Sequence, residues 1–244
     1  MIVAASCADR NSGRIREPKE IFDEAVLKFE DSDFIEAKQL FDIIKLQYPA
    51  SEFAEYSQFY LGECEFEEKN YILAAFNYNS LRRVYPSSSY SKISMYKAAL
   101  CYYHLSPSFE RDQEYTKKAI NYFQEFQYSY PNDSLFNEAE ERISELRDKL
   151  AHKEYNTAEL YIKLSSPRSS IVYYDEVINK YDDTKYYEPA YYGKTSVLVS
   201  LRRYDEALGL INLYDKLFPD GIHKEEMINL EKISKERRAL RNKN

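Results

Sequence analysis

Apolar residues return along this chain at helical intervals, and the longest such run contains no breaker. Leu135, Ala139, Ile143, Leu146, Leu150 and Ala158 follow one another at steps of three, four and eight residues, which places them on one face of a helix. Pro131 and Pro167 bracket the run, and no glycine or proline lies between them. The pattern predicts one helix over 134–164, about 45 Å long at ~1.5 Å per residue. That length is unusual for a compact bundle. On either side the pattern changes to shorter amphipathic pairs.

Those pairs repeat. Tyr48-Pro49-Ala50-Ser51, Tyr85-Pro86-Ser87-Ser88, Tyr130-Pro131-Asn132-Asp133, Tyr181-Asp182-Asp183-Thr184 and Phe218-Pro219-Asp220 each close an amphipathic stretch, and Pro49 to Pro86 and Asp182 to Pro219 are both 37 residues. Twelve residues before each mark stand Ala37, Ala74, Ala119, Ser170 and Ala207, with Phe41, Tyr78, Phe123, Tyr174 and Ile211 four residues later. A small residue is needed where two helix backbones approach, because a larger one would force them apart. Ala25 and Gly62 mark the matching contact on the first helix of their units. This is the period and pattern of tetratricopeptide (TPR) repeats. The expected fold is all-α, a TPR-like helical-hairpin solenoid of about five repeats. The third unit carries surplus residues in a loop around 106–112, the long helix opens the fourth, and a cap helix over 224–241 has Ile228, Ile233 and Leu240 as a sparse apolar stripe.

Composition supports the class and narrows the function. Glycine (5) and proline (8) are scarce and charged residues make up 31%, as suits a helical chain, while 25 Tyr and 13 Phe with no Trp suit a recurring interlocking ring. A net charge of −7 argues against a nucleic-acid partner. No apolar stretch reaches the length of a membrane span.

Candidate chemistry is sparse. His104, His152 and His223 are far apart and stand in no ligand motif, so no metal and no cofactor are expected. Phosphate loops, nucleophile elbows and glycine fingerprints are absent, and the chain reads as a non-enzyme. The acidic residues Glu65, Glu67 and Glu68, and Glu138, Glu140, Glu141 and Glu145, read as solvated helix faces. Cys64 and Cys101 stand 37 residues apart, at one repeat position. Small buried thiols are favoured there over a disulfide.

The aromatics carry a sharper signal. Phe22 and Phe29, Phe59 and Phe66, and Tyr96 and Tyr103 occupy the same two positions in the first helices of three successive units, seven residues apart. In the fourth unit the matching positions hold Glu141 and Asp148. Six rings on one face suit a groove for an extended peptide with apolar or aromatic side chains. The alternative is that the rings pack between helices.

Two segments resemble known families. Met1 to Ala8 is small and apolar up to Cys7 and resembles the lipobox of bacterial lipoproteins, which implies cleavage between Ser6 and Cys7 and acylation of Cys7. Only six residues precede Cys7, too few for a signal peptide, so the natural start is expected upstream of Met1. Within Leu146-Arg147-Asp148-Lys149-Leu150-Ala151-His152-Lys153-Glu154-Tyr155-Asn156-Thr157-Ala158-Glu159-Leu160-Tyr161, the residues Leu146, Leu150, Ala151, Glu154, Ala158 and Tyr161 match the central signature of the BamD family (also ComL or YfiO). The whole chain resembles these outer-membrane β-barrel assembly lipoproteins. The resemblance implies a lipid-anchored, non-catalytic subunit on the periplasmic face of the outer membrane. It also implies three classes of partner: the C-terminal segments of unfolded outer-membrane proteins, the POTRA region of a BamA-like barrel protein, and accessory lipoproteins. The expected layout is a residual signal and tether over 1–17, TPR units one to three over 18–133 receiving clients, and units four and five over 134–244 docking on the machine, with the long helix as the joint. A Tol-system helper adaptor and a SusD-like binding lipoprotein are the competing readings.

Overall fold

The computed structural model describes residues 16–241, and among them the chain forms eleven α-helices and no strand. Packing divides it into two compact units that part between His104 and Leu105.

The first unit holds α1 (Pro18–Glu30), α2 (Phe34–Gln47), α3 (Phe53–Glu67), α4 (Tyr71–Val84) and α5 (Ser91–Leu105). Here α1 packs on α2, α2 on α3 and α3 on α4. The second holds α6 (Glu114–Ser129), α7 (Phe136–Lys163), α8 (Pro167–Lys180), α9 (Tyr187–Ser200), α10 (Tyr204–Leu217) and α11 (Lys224–Arg241), each packed on the next. The long helix is α7, with 28 residues. The fold is all-α, and each unit is built of helical hairpins that recur at the TPR-like repeat spacing.

Two turns recur, one at each end of the hairpins. Within a unit the first helix ends in a left-handed residue: Ser32, Lys69, Ser165 and Arg202, with φ between 56° and 63°. The N–H of the following residue then reaches back to the last turn, as Asn70 does to the Glu65 carbonyl at 2.8 Å. None of the four is glycine, and each bears the steric cost of that conformation. Between units the helix stops at Tyr48, Tyr85, Tyr130, Tyr181 or Phe218. A tight turn follows, closed from Ser51, Ser88, Asp133, Thr184 or Gly221 at 3.0–3.2 Å. Proline at the second position of four of these turns fixes the backbone angle that the turn needs. The third unit lacks the left-handed turn. Its helices are joined by residues 106–113, where Gln113 is buried and donates to the Ser108 and Arg111 carbonyls.

The small positions do what their spacing predicts. Ala37, Ala74, Ala119, Ser170 and Ala207 are fully buried, and Phe41, Tyr78, Phe123 and Tyr174 are enclosed beside them. Gly62 lies against Tyr78: a Cβ there would stand 2.6 Å from the ring. Two of these rings carry a hydroxyl. Tyr78 donates to Glu63 at 2.6 Å and Tyr174 donates to Glu159, so each second helix is bolted to its own first helix by a buried phenol and a carboxylate. Burial and the facing carboxylate push both phenols well above their ordinary range.

Two expectations need correction. On α11 the array-facing residues are Met227 and Ser234 with Leu230 beside them, whereas Ile228 and Leu240 point to solvent. The face is set by Met227 seating against Tyr191, Ile211 and Tyr214, one residue before the isoleucine that spacing favoured. Glu65 and Glu68 are also not a merely solvated face, because both accept hydrogen bonds from Lys38 of α2, at 3.2 and 2.5 Å. Cys64 and Cys101 are free and buried, and desolvation pushes their thiols up to about 12.

Candidate functional site

All six rings of the expected groove belong to the first unit, on α1, α3 and α5, and they divide into two classes. Phe59 and Tyr96 are buried, at 8% and 3% exposure. Phe22, Phe29, Phe66 and Tyr103 keep part of their surface. The rings belong to a dense aromatic packing and do not stand as a free ladder. Phe22 meets Phe53 at 5.2 Å and Tyr60 at 5.8 Å, and Phe29 meets Tyr60 at 5.4 Å and Phe34 at 5.6 Å. Phe59 is covered by Tyr90, stacked at 4.3 Å. Phe66 stands edge-on to Tyr71 and His104, which stack on each other at 4.7 Å.

Repeat spacing did not mark the residues that stitch these rings together. Lys97 of α5 lies 5.4 Å above Phe66 while its ammonium pairs with Glu63 at 2.5 Å, so Glu63 holds both Tyr78 and Lys97. Tyr56, Tyr60 and Tyr90 bridge rings that the seven-residue spacing treated as separate. The cation's position between two phenylalanines could have been sought one residue after Tyr96, but nothing in the period requires it.

In the second unit, the signature residues Leu146, Leu150, Ala151 and Ala158 form the buried stripe of α7, and Tyr161 stacks on Tyr173 of α8 at 5.2 Å. His152 lies between Phe109 at 3.9 Å and Tyr186 at 5.0 Å. Among the described residues no group of three histidines, cysteines or acids is placed to hold a metal.

Arg147 ties α7 to the turn after α8. Its guanidinium donates to both Asp183 oxygens at 2.5 and 2.6 Å and to the Lys180 carbonyl at 2.7 Å, and lies over the Tyr181 ring. A planar fork makes all these contacts at once, which lysine cannot do. The pairing holds Asp183 below the usual carboxylate range. A carboxyl lowered on folding adds stability above its unfolded value, near pH 4, and that stability is lost as pH falls through the folded value. Arg147→Ala should therefore cost about 1 kcal/mol at neutral pH, because the pair is partly exposed, and less as pH falls through the folded value of Asp183, where only the Lys180 carbonyl and Tyr181 contacts remain to be lost. Urea midpoints at neutral and acid pH would measure the difference, and a cost unchanged by pH would contradict it.

The sequence pattern of one family, described as outer membrane lipoprotein and named YfiO, matches residues 15–211. That match covers α1 to α9 and much of α10. The chain belongs to the YfiO family. The chain is also 27% identical over 126 residues to the outer membrane protein assembly factor BamD of Rickettsia prowazekii. That alignment spans about half of each protein, 52% of this chain and 50% of the relative. Among solved structures, the TPR2AB-domain:pHSP90 complex of yeast Sti1 is similar at a TM-score of 0.41 and 14% identity, over 89% of this chain and 98% of that one. The TPR protein TTC0263 of Thermus thermophilus follows at 0.38 and 13%, over 88% and 98%. In this YfiO-family chain no described helix is long and apolar enough to cross a membrane. The lipidation expected at Cys7, and most of the tether over 1–17, lie outside the described residues.

Proposed function

We propose that this YfiO-family chain is a non-catalytic adaptor in the assembly of outer-membrane β-barrel proteins. It receives the C-terminal segments of unfolded clients in its first unit and docks through its second on the POTRA region of a BamA-like barrel protein, held by a lipid anchor at Cys7 on the periplasmic face. The observation that carries the reading is the family match from 15 to 211, in company with a relative named as an assembly factor. The aromatic packing of α1, α3 and α5 supports the first half. Phe22, Phe29, Phe66 and Tyr103 are the rings that retain surface for a client, while Phe59 and Tyr96 are buried in the packing.

A ring covers roughly 150–250 Å² when buried, and at about 25 cal/mol/Å² two half-covered rings supply a few kcal/mol before ordering costs. A peptide of β-strand pattern ending in phenylalanine should bind with micromolar affinity. Phe29→Ala/Phe66→Ala should weaken it tenfold or more, and Phe29→Leu/Phe66→Leu, which keeps more of the packing, by less. Circular dichroism checks that both variants fold. Unchanged affinity in the folded variants would remove the groove. Recovery of the detergent-solubilised protein without a barrel protein would remove the docking.

A further inference from the structure

The signature residue Glu154 has no structural task that accounts for it. It projects from α7 into a cavity of about 370 Å³ between α6 and α8. No described residue gives its carboxylate a hydrogen bond or an ion pair. Of the other charged groups of the cavity, Arg147 binds Asp183 and the Lys180 carbonyl, and Lys180 pairs with Glu176, which leaves Lys117. Lys117 of α6 is exposed at the rim and makes no ion pair with Glu154.

The groups acting on Glu154 are Glu176, Lys180 and Lys117 from the flanking helices and Lys153 on its own. Loss of water, with Glu176 as the second cause, outweighs the lysines and raises the carboxyl above its ordinary range. A carboxylate that has lost part of its water is favoured by a cation placed beside it, and the pairing is stronger where the surroundings are less polar than water. The side-chain amides of Asn121 and Gln124 line the same cavity and offer carbonyl acceptors to a donor with several N–H groups.

We propose that this cavity is a docking site for an arginine side chain of a partner protein, with Glu154 as its anionic anchor. Arginine fits better than lysine because one planar fork can serve the carboxylate and a neighbouring amide carbonyl together. The site lies wholly within the second unit and does not depend on the client groove of the first.

The test uses the whole chain and N-acetyl-arginine amide as probe, with N-acetyl-citrulline amide as its neutral counterpart, at constant ionic strength. Carbon-detected NMR of side-chain carboxyls should show the Glu154 titration moving down when the arginine probe is added at millimolar concentration, with citrulline leaving it unmoved. Glu154→Gln, close in shape, should abolish the amide shifts around α6 and α8, and Lys117→Gln should enlarge them by removing a competing cation. Equal shifts with citrulline, unchanged shifts in Glu154→Gln, or the same response to magnesium chloride would each overturn the assignment.

Discussion

Gly193→Val is expected to lower the melting temperature of this protein by about 4–8 °C, while Gly209→Ala raises it by about 2–4 °C. Both glycines are helical, on α9 and α10, and only their surroundings differ. A Cβ at Gly193 would stand 2.6 Å from the Tyr174 hydroxyl. That ring cannot withdraw, because it is fully buried, bonds Glu159 and meets Tyr155 at 5.7 Å. Overpacking of this kind costs about 1–3 kcal/mol, and 1 kcal/mol shifts the midpoint by roughly 2–4 °C in a chain of this size. Around Gly209 nothing beyond its chain neighbours and the backbone of its own helix lies within 4 Å of the added carbon, so only the helix propensity changes, by about 1 kcal/mol in favour of alanine. Calorimetry of the two variants settles it, and shifts of the same sign would show that Gly193 is not a close contact.

Gly193 also shows where the sequence stops being informative. Counting back from the turn marks finds Gly62, because that glycine meets the tyrosine of its own unit. Gly193 meets the tyrosine of the preceding unit, so the same count passes over it. What could be read was whatever repeats at fixed spacing: the alanine row, the large side chains four residues later, the Tyr-Pro turns and the bounds of α7 and α11. What could not be read depends on side-chain direction at a single position. The cap-helix stripe fell on Ile228 because periodicity tolerates a shift of one residue, whereas the space beside Tyr191 and Tyr214 accepts Met227. The ring ladder is a true repeat, yet whether a repeated ring faces solvent depends on its neighbours. Tyr90 lies outside the seven-residue spacing, and it is what covers Phe59. Glu154 was legible as a signature residue, while its lack of a partner became visible only once α6 and α8 were placed around it.

The largest loss of stability is expected from Tyr78→Ala. Tyr78 is fully enclosed between α3 and α4, fills the space that Gly62 leaves, and donates to Glu63. Removing an aromatic side chain from such a site costs about 3–5 kcal/mol, against about 1–2 kcal/mol for Tyr78→Phe, which removes only the hydrogen bond. Glu63 keeps Lys97 in either case, so the carboxylate is not stranded. In a stack of repeats each hairpin is held chiefly by its neighbours, and the damage should therefore be local. Hydrogen exchange in Tyr78→Ala should lose protection first in α3 and α4. Tyr174→Ala, which removes the equivalent bolt to Glu159, should lose it first in α7 and α8. Phe41, Phe123 and Ile211 fill the same repeat position without a hydroxyl; in the last hairpin a different position, Tyr214 of α10, supplies the phenol and donates to Glu188 of α9 at 2.6 Å, so the bolt joins the helices of three hairpins and not of the whole array. If both alanine variants lost protection evenly over all the described helices, the phenol and carboxylate would not be local fasteners, and the cooperativity of the array would have to lie elsewhere than in its hairpins.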